Sequence, residues 1–188
     1  MKFDKRSFRK RGRRAVYNGR EYKAASSSLP GMVKITSFDQ KDLDNGFYCE
    51  ESWEFMKKYG FFCYKDVPKN EIAAAYKIEF TANYKGKTYY HVDGYVGDDC
   101  EDKENAENIV RIMKCVSKHS KPDEYAYCIA NGFIEGSQLE YSYVDLYKYV
   151  NINDPELEII ETRTEVYIDE NGTEIPYSRL DLHNIEKQ

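Results

Sequence analysis

The chain has 188 residues and a formal net charge of −5, with 32% charged and 41% hydrophobic residues. That length holds one large domain or two small ones, and no apolar run nears the ~18 residues that a membrane-spanning helix needs. No apolar stretch follows the basic start, so a secretory signal is not expected. The five cysteines include no Cys-x-x-Cys pair, which argues against a disulfide framework or a zinc site. A reducing cytoplasm is the expected compartment.

Residues 1–14 carry eight basic side chains against one acid, Asp4, while the remainder carries twenty basic and thirty-two acidic residues. The start therefore reads as a basic N-terminal arm, residues 1–14. Arg6, Arg9, Arg11, Arg13 and Arg14 are its candidates for contact with nucleic acid. A solvated tail, or an arm folded back on the acidic body with Phe3 and Phe8 as anchors, are the alternatives.

Next, Ala15–Tyr17 and Glu21–Ala25 read as strands around Asn18-Gly19, and Met32–Thr36 as a third strand. Ser37 and Gln40 make a capping box for a short helix through Leu43, closed by Asn45-Gly46. Glu51–Tyr59 predicts a second short helix, with Trp53 turned to the core. Phe61–Lys65 is a strand, and Asn70 is placed to cap one helical turn through Ala75. Tyr76–Tyr84 alternates for nine residues, with Tyr76, Ile78, Phe80, Ala82 and Tyr84 on the buried face. Lys87–Val96 returns as its hairpin partner about Gly86, and His91 fills a face of it.

The stretch 97–104 is acidic: Asp98, Asp99, Glu101, Asp102 and Glu104. It lacks the spacing of a calcium loop and reads as the start of a helix running to Ser117, its acids favoured at the positive end of the dipole. Pro122 opens a further helix that Asn131-Gly132-Phe133 closes. Leu139–Val150 is a Tyr-rich strand. Leu157–Ile168 and Glu174–Leu182 form a last hairpin about Asn171-Gly172, and 181–188 reads as a polar tail.

Several of these features recur. Asn45-Gly46-Phe47 returns as Asn131-Gly132-Phe133, and the turn glycine Gly86 as Gly172, each 86 residues later, whereas Gly19 precedes Gly86 by 67. Two related units are expected, 15–82 and 83–168, the second carrying the acidic helix as an insertion, with 169–188 as a C-terminal hairpin strand and tail. The fold class is α+β: two small units of β-hairpin, strand and helix packed together, with mainly antiparallel sheet.

No nucleophile elbow, phosphate loop or spaced metal-ligand set occurs, so neither enzyme activity, a metal site nor a cofactor is expected. Eighteen tyrosines and an acidic body suit a docking surface instead. Asp98, Asp99, Glu101 and Asp102, with Tyr95, are its candidate contacts. A nucleic-acid-associated or regulatory β-rich module using the basic arm is the alternative.

The order of Tyr17–Tyr22, then Asp39–Asp44 ending in Asn45-Gly46-Phe47, then Tyr64-Lys65-Asp66-Val67 with Glu71-Ile72 and Tyr76, resembles the small acidic repeat proteins encoded beside polymorphic toxins in Gram-positive bacteria. Those are immunity proteins. The resemblance covers residues 15–95 and the rest loosely; the basic arm and the acidic insertion depart from it. It implies a cytoplasmic, stoichiometric inhibitor of a cognate toxin, without cofactor. Against a nuclease toxin with a basic cleft, clustered carboxylates would mimic phosphate and speed capture.

Overall fold

A computed structural model describes residues 3–138, 142–168 and 174–175. The fold is mixed α+β with antiparallel sheets, and the chain divides into two compact units. The first comprises Gly12–Ile78 with the chain from Arg163; the second comprises the chain up to Arg11 with Glu79–Thr162.

In the first unit β1 (Gly12–Tyr17) and β2 (Arg20–Ser26) form a hairpin about Asn18 and Gly19, at φ +49° and +73°. β3 (Met32–Ser37) and β4 (Cys63–Pro68) follow, and β5 (Ile72–Tyr84) returns to pair with β1, giving the order β5-β1-β2-β3-β4. Between β3 and β4 lie a 3-10 turn (Gln40–Asn45) and the helix α1 (Trp53–Tyr59). Ala15, Tyr17, Tyr22, Val33, Ile35, Phe47, Cys63 and Val67 form the core. Each large side chain so buried contributes about 1.5–3 kcal/mol.

The second unit repeats this plan. Residues 79–84 of β5 and β6 (Lys87–Tyr89) turn about Lys85 and Gly86, at φ +50° and +72°. β7 (His91–Asp93) continues past Tyr90 and pairs with β8 (Ile109–Ser117). The helix α2 (Pro122–Ala130) leads to β9 (Ile134–Gln138) and β10 (Tyr143–Asn151), in the order β7-β8-β10-β9. β11 (Leu157–Glu165) lies beside β5, and β12 (Tyr167–Ile168) pairs with β13 (Glu174–Ile175).

The correspondence reaches individual residues. Ala15 faces Tyr22 across its hairpin, as Ala82 faces Tyr89. Val33 faces Val67 and Ile35 faces Lys65, as Val110 faces Val150 and Ile112 faces Lys148. The Tyr22 and Phe47 rings are 5.4 Å apart, as are those of Tyr89 and Phe133. Ala82, Tyr84, Tyr89, Val110, Ile112, Phe133, Leu146 and Val150 are all buried, the counterparts of the first core in order.

Both units close the same turn in the same way. Gly46 and Gly132 stand at φ +79° and +77°, where a Cβ is strained. Phe47 N–H donates to Asp42 O at 3.2 Å, and Phe133 N–H to Cys128 O at 3.0 Å. Lys65 Nζ then donates to Asn45 O at 2.9 Å, and Lys148 Nζ to Asn131 O at 2.5 Å. A Cβ at either glycine has room, its nearest neighbour being that lysine nitrogen at 3.6 or 3.5 Å. Gly46→Ala and Gly132→Ala are thus each expected to lose about 1 kcal/mol through backbone strain alone. Urea unfolding checks this, with Gly→Asn as the milder variant because Asn tolerates that conformation.

The structure departs from the sequence reading at several places. Residues 109–117 are the strand β8 and not a helix; only Lys103–Asn108 coils, as a 3-10 turn. Ile109, Val110, Ile112 and Val116 are β-branched, and short apolar runs satisfy either period. Asp39, not Ser37, caps Gln40–Asn45 by accepting from Lys41 N–H at 3.0 Å; Ser37 Oγ bonds the buried Asp42 carboxylate. The helical turn expected through Ala75 is strand from Ile72. The basic stretch is not an arm throughout: Lys5–Lys10 is a 3-10 turn and Gly12–Tyr17 is β1. The chain passes from one unit to the other between Ile78 and Glu79, where 82 and 83 were expected. The turn at Asn171-Gly172 and the tail lie outside the described residues.

Candidate partner-binding surface

The loop between β7 and β8, residues 94–108, is where the second unit departs most from the first, whose β2 and β3 are joined by residues 27–31. This loop carries every acidic candidate. Its base is an ion pair. Arg111 on β8 donates to Asp93 at the end of β7, Nη2 to Oδ2 at 2.8 Å and Nε to Oδ1 at 3.3 Å. Tyr95 N–H donates to Asp93 Oδ1 at 3.0 Å, and His91 Nε2 lies 3.3 Å from Oδ2. Burial alone would raise the Asp93 pKa, but His91, Arg111 and the Tyr95 N–H together hold it well below the usual carboxylate range.

Arg111 also lies against Tyr95, its guanidinium carbon 4.5 Å from the ring centroid. Tyr95 itself stays 58% exposed. Further on, Asp99 accepts from Tyr147 Oη at 2.6 Å and Tyr149 Oη at 2.8 Å, and Gly97 N–H donates to Tyr149 Oη at 3.1 Å. These hydroxyls lower the Asp99 pKa, Tyr147 first, and the same bond pushes Tyr147 up to about 12. Gly97 suits this packing: a Cβ there would stand 2.7 Å from the Tyr149 oxygen, so the tyrosine and Asp99 side chains would have to shift.

The predicted acidic residues thus divide by role. Asp99 points at β10 and fixes the loop. Asp98 is fully exposed, with Lys103 Nζ at 3.4 Å. Asp102 accepts from Asn105 Nδ2 at 2.8 Å, and Glu101 is exposed. Tyr95, Asp98, Glu101 and Asp102 are displayed outward on a loop that the tyrosines of β10 hold in place.

The basic candidates are divided between the two units. Arg6 pairs with Asp4, Nη2 to Oδ2 at 2.8 Å. Arg11 donates to Val92 O and covers Phe8 and Phe80, and burial lowers its pKa. Arg9 lies beside a cleft of about 740 Å³ floored by Phe3, Phe8 and Ile152. In the first unit Arg13 donates to Ser26 Oγ at 3.3 Å, and Arg14 stands 3.9 Å from Glu21. Among the described residues no group of three or more His, Cys, Asp or Glu is arranged to hold a metal ion, and no helix is long and apolar enough to cross a membrane.

A further exposed surface belongs to the first unit and was not foreseen. Ser52 caps α1 by accepting from Phe55 N–H at 3.2 Å, but Met56 is the one buried residue of the helix. Trp53, expected in the core, is 56% exposed, and Tyr59 is exposed as well. Phe55 lies 4.5 Å from the Tyr59 ring and 6.1 Å from Phe62. The signal was available: at about 100° per residue, Trp53 and Phe55 lie on nearly opposite sides, with Met56 and Tyr59 between them, so a two-turn helix cannot bury them all.

Comparison with the curated proteins and with the solved structures returned no match. A family comparison matched residues 9–114, which take in the first unit from β1 to β5 and the acidic loop of the second. The chain belongs to the family described as Uncharacterised conserved protein UCP033725.

Proposed function

We propose that the chain is a non-catalytic binding protein of the immunity type, which docks on a cognate bacterial toxin in the cytoplasm and neutralises it. The observation that carries this reading is the acidic loop. Its fixing contacts run through Asp93, Asp99, Arg111, Tyr147 and Tyr149, while Asp98 and Glu101 project outward with little part in the fold. A preformed array of carboxylates beside an exposed tyrosine suits a basic protein surface, such as the phosphate-binding cleft of a nuclease toxin.

The test uses the cognate toxin that this reading implies, sought in the neighbouring open reading frame. The triple variant Asp98→Asn, Glu101→Gln, Asp102→Asn is expected to weaken binding roughly ten- to hundredfold, mostly through association rate, with a flatter salt dependence. Asp99→Asn is kept apart, since it loosens the loop as well as removing charge. Wild-type affinity for the triple variant, or capture of nucleic acid in place of a protein, would sink the reading.

A further inference from the structure

We propose that Cys49 and Cys63 form a redox-active dithiol, which a low-molecular-weight disulfide such as oxidised glutathione converts into a cross-strand disulfide closing the loop that carries α1. Tyr48 and Tyr64 make a β-bridge and exchange both backbone hydrogen bonds, each at 2.8 Å. They are therefore a hydrogen-bonded antiparallel pair. Carried one residue beyond this isolated bridge, the same register would set Cys49 opposite Cys63 as a pair of the non-hydrogen-bonded kind, in which the Cα atoms approach to about 4.5 Å. That separation lies inside the range a disulfide spans, about 4.4–6.8 Å. Side chains directly opposite each other also share a face.

Two further observations agree with this pairing. Cys49 Sγ lies 3.7 Å from the carbonyl oxygen of Phe62, the residue beside Cys63. Cys49 is also among the groups that act electrostatically on Cys63, whose thiol is pushed up to about 11, first by burial and then by Cys49, Asp42 and Asp39.

The access of the two sulfurs sets the order of events. Cys49 is exposed and Cys63 is buried. Cys49, as thiolate, attacks one sulfur of oxidised glutathione and releases one glutathione thiolate. Cys63 then loses its proton and attacks the Cys49 sulfur, releasing the second glutathione. Two protein thiols are oxidised, one glutathione disulfide is reduced to two thiols, and the protons of the protein thiols pass to the glutathione thiolates or to solvent.

The loop so closed contains Trp53, Phe55 and Tyr59, the exposed aromatic surface of the first unit. Oxidation would hold that surface to the β4 edge. Reduction leaves it tethered by the Tyr48–Tyr64 bridge.

The full chain is equilibrated with oxidised glutathione, and free thiols are counted before and after. The expected result is a fall from five thiols to three, the loss of two hydrogens by intact mass, and a Cys49–Cys63 link by peptide mapping. The melting temperature should rise by roughly 5 °C, and fluorescence of the single tryptophan, Trp53, should shift. Cys49→Ser, at an exposed position, should abolish all five changes; Cys63→Ala provides the second test. Retention of five thiols, a stable glutathione adduct on Cys49, or linkage to Cys100, Cys115 or Cys128 would each overturn the proposal.

Discussion

Phe80→Ala is expected to cost about 3–5 kcal/mol, the range for removing a buried aromatic side chain from a core. Phe80 is 1% exposed and sits on the inward face of β5. Its ring meets Phe8 edge-on with centroids 5.0 Å apart and Phe3 at 5.8 Å, and Arg11 covers it at 5.7 Å. Each aromatic pair adds about 0.5–1.5 kcal/mol beyond burial, so truncation also removes the floor on which the basic segment rests. Denaturant unfolding should show the loss, and proteolysis should begin within Lys5–Lys10, which carries the basic cleavage sites. Phe80→Leu, which keeps most of the volume, should lose distinctly less. Equal loss for both variants, or a segment that stays protected in Phe80→Ala, would refute the anchoring role.

Asp93→Asn is expected to cost about 2 kcal/mol at neutral pH and to alter the acid limb of stability. The Asp93 and Arg111 side chains are 18% and 21% exposed. Breaking such a pair leaves the guanidinium without its charged partner, at a cost below that of a fully buried pair because water still reaches it. The pH dependence follows from the depressed Asp93 pKa. A carboxyl whose folded pKa lies below its unfolded value binds fewer protons when folded. Its stabilisation is therefore fully present above the unfolded value, near 3.8, and fades as pH falls through the folded value. Wild type should lose this contribution progressively as pH falls below about 5, and Asp93→Asn should show a shallower loss there. Parallel acid limbs would mean that the pair does not act in this way. Because Arg111 also supports Tyr95, the same variant should weaken partner capture at neutral pH.

Much of the local architecture was legible in the chain itself. Alternation in 76–84 marked the buried face of β5; Ile78, Phe80, Ala82 and Tyr84 are buried as that pattern requires, and Tyr76 is half-buried. Asn18-Gly19 and Lys85-Gly86 marked hairpin turns, since both positions need positive φ. The recurrence of Asn-Gly-Phe marked a closure that both units share. The acidic loop was visible as composition, but its form was not. The residues after Asn108 fit a helix as well as a strand by spacing, and pairing with β7 and β10 decides for the strand.

By itself the sequence determined where the backbone turns, which strand faces are apolar and where charge gathers. These depend on a residue and its near neighbours, through backbone sterics and the period of two. Only the tertiary structure decided which acids project and which are held. Asp99 is drawn onto Tyr147 and Tyr149, some fifty residues away, and Asp98 is not. It also decided that Trp53 faces water and that Tyr48 lies opposite Tyr64. Those outcomes rest on contacts between strands distant in sequence, whose register no local pattern specifies.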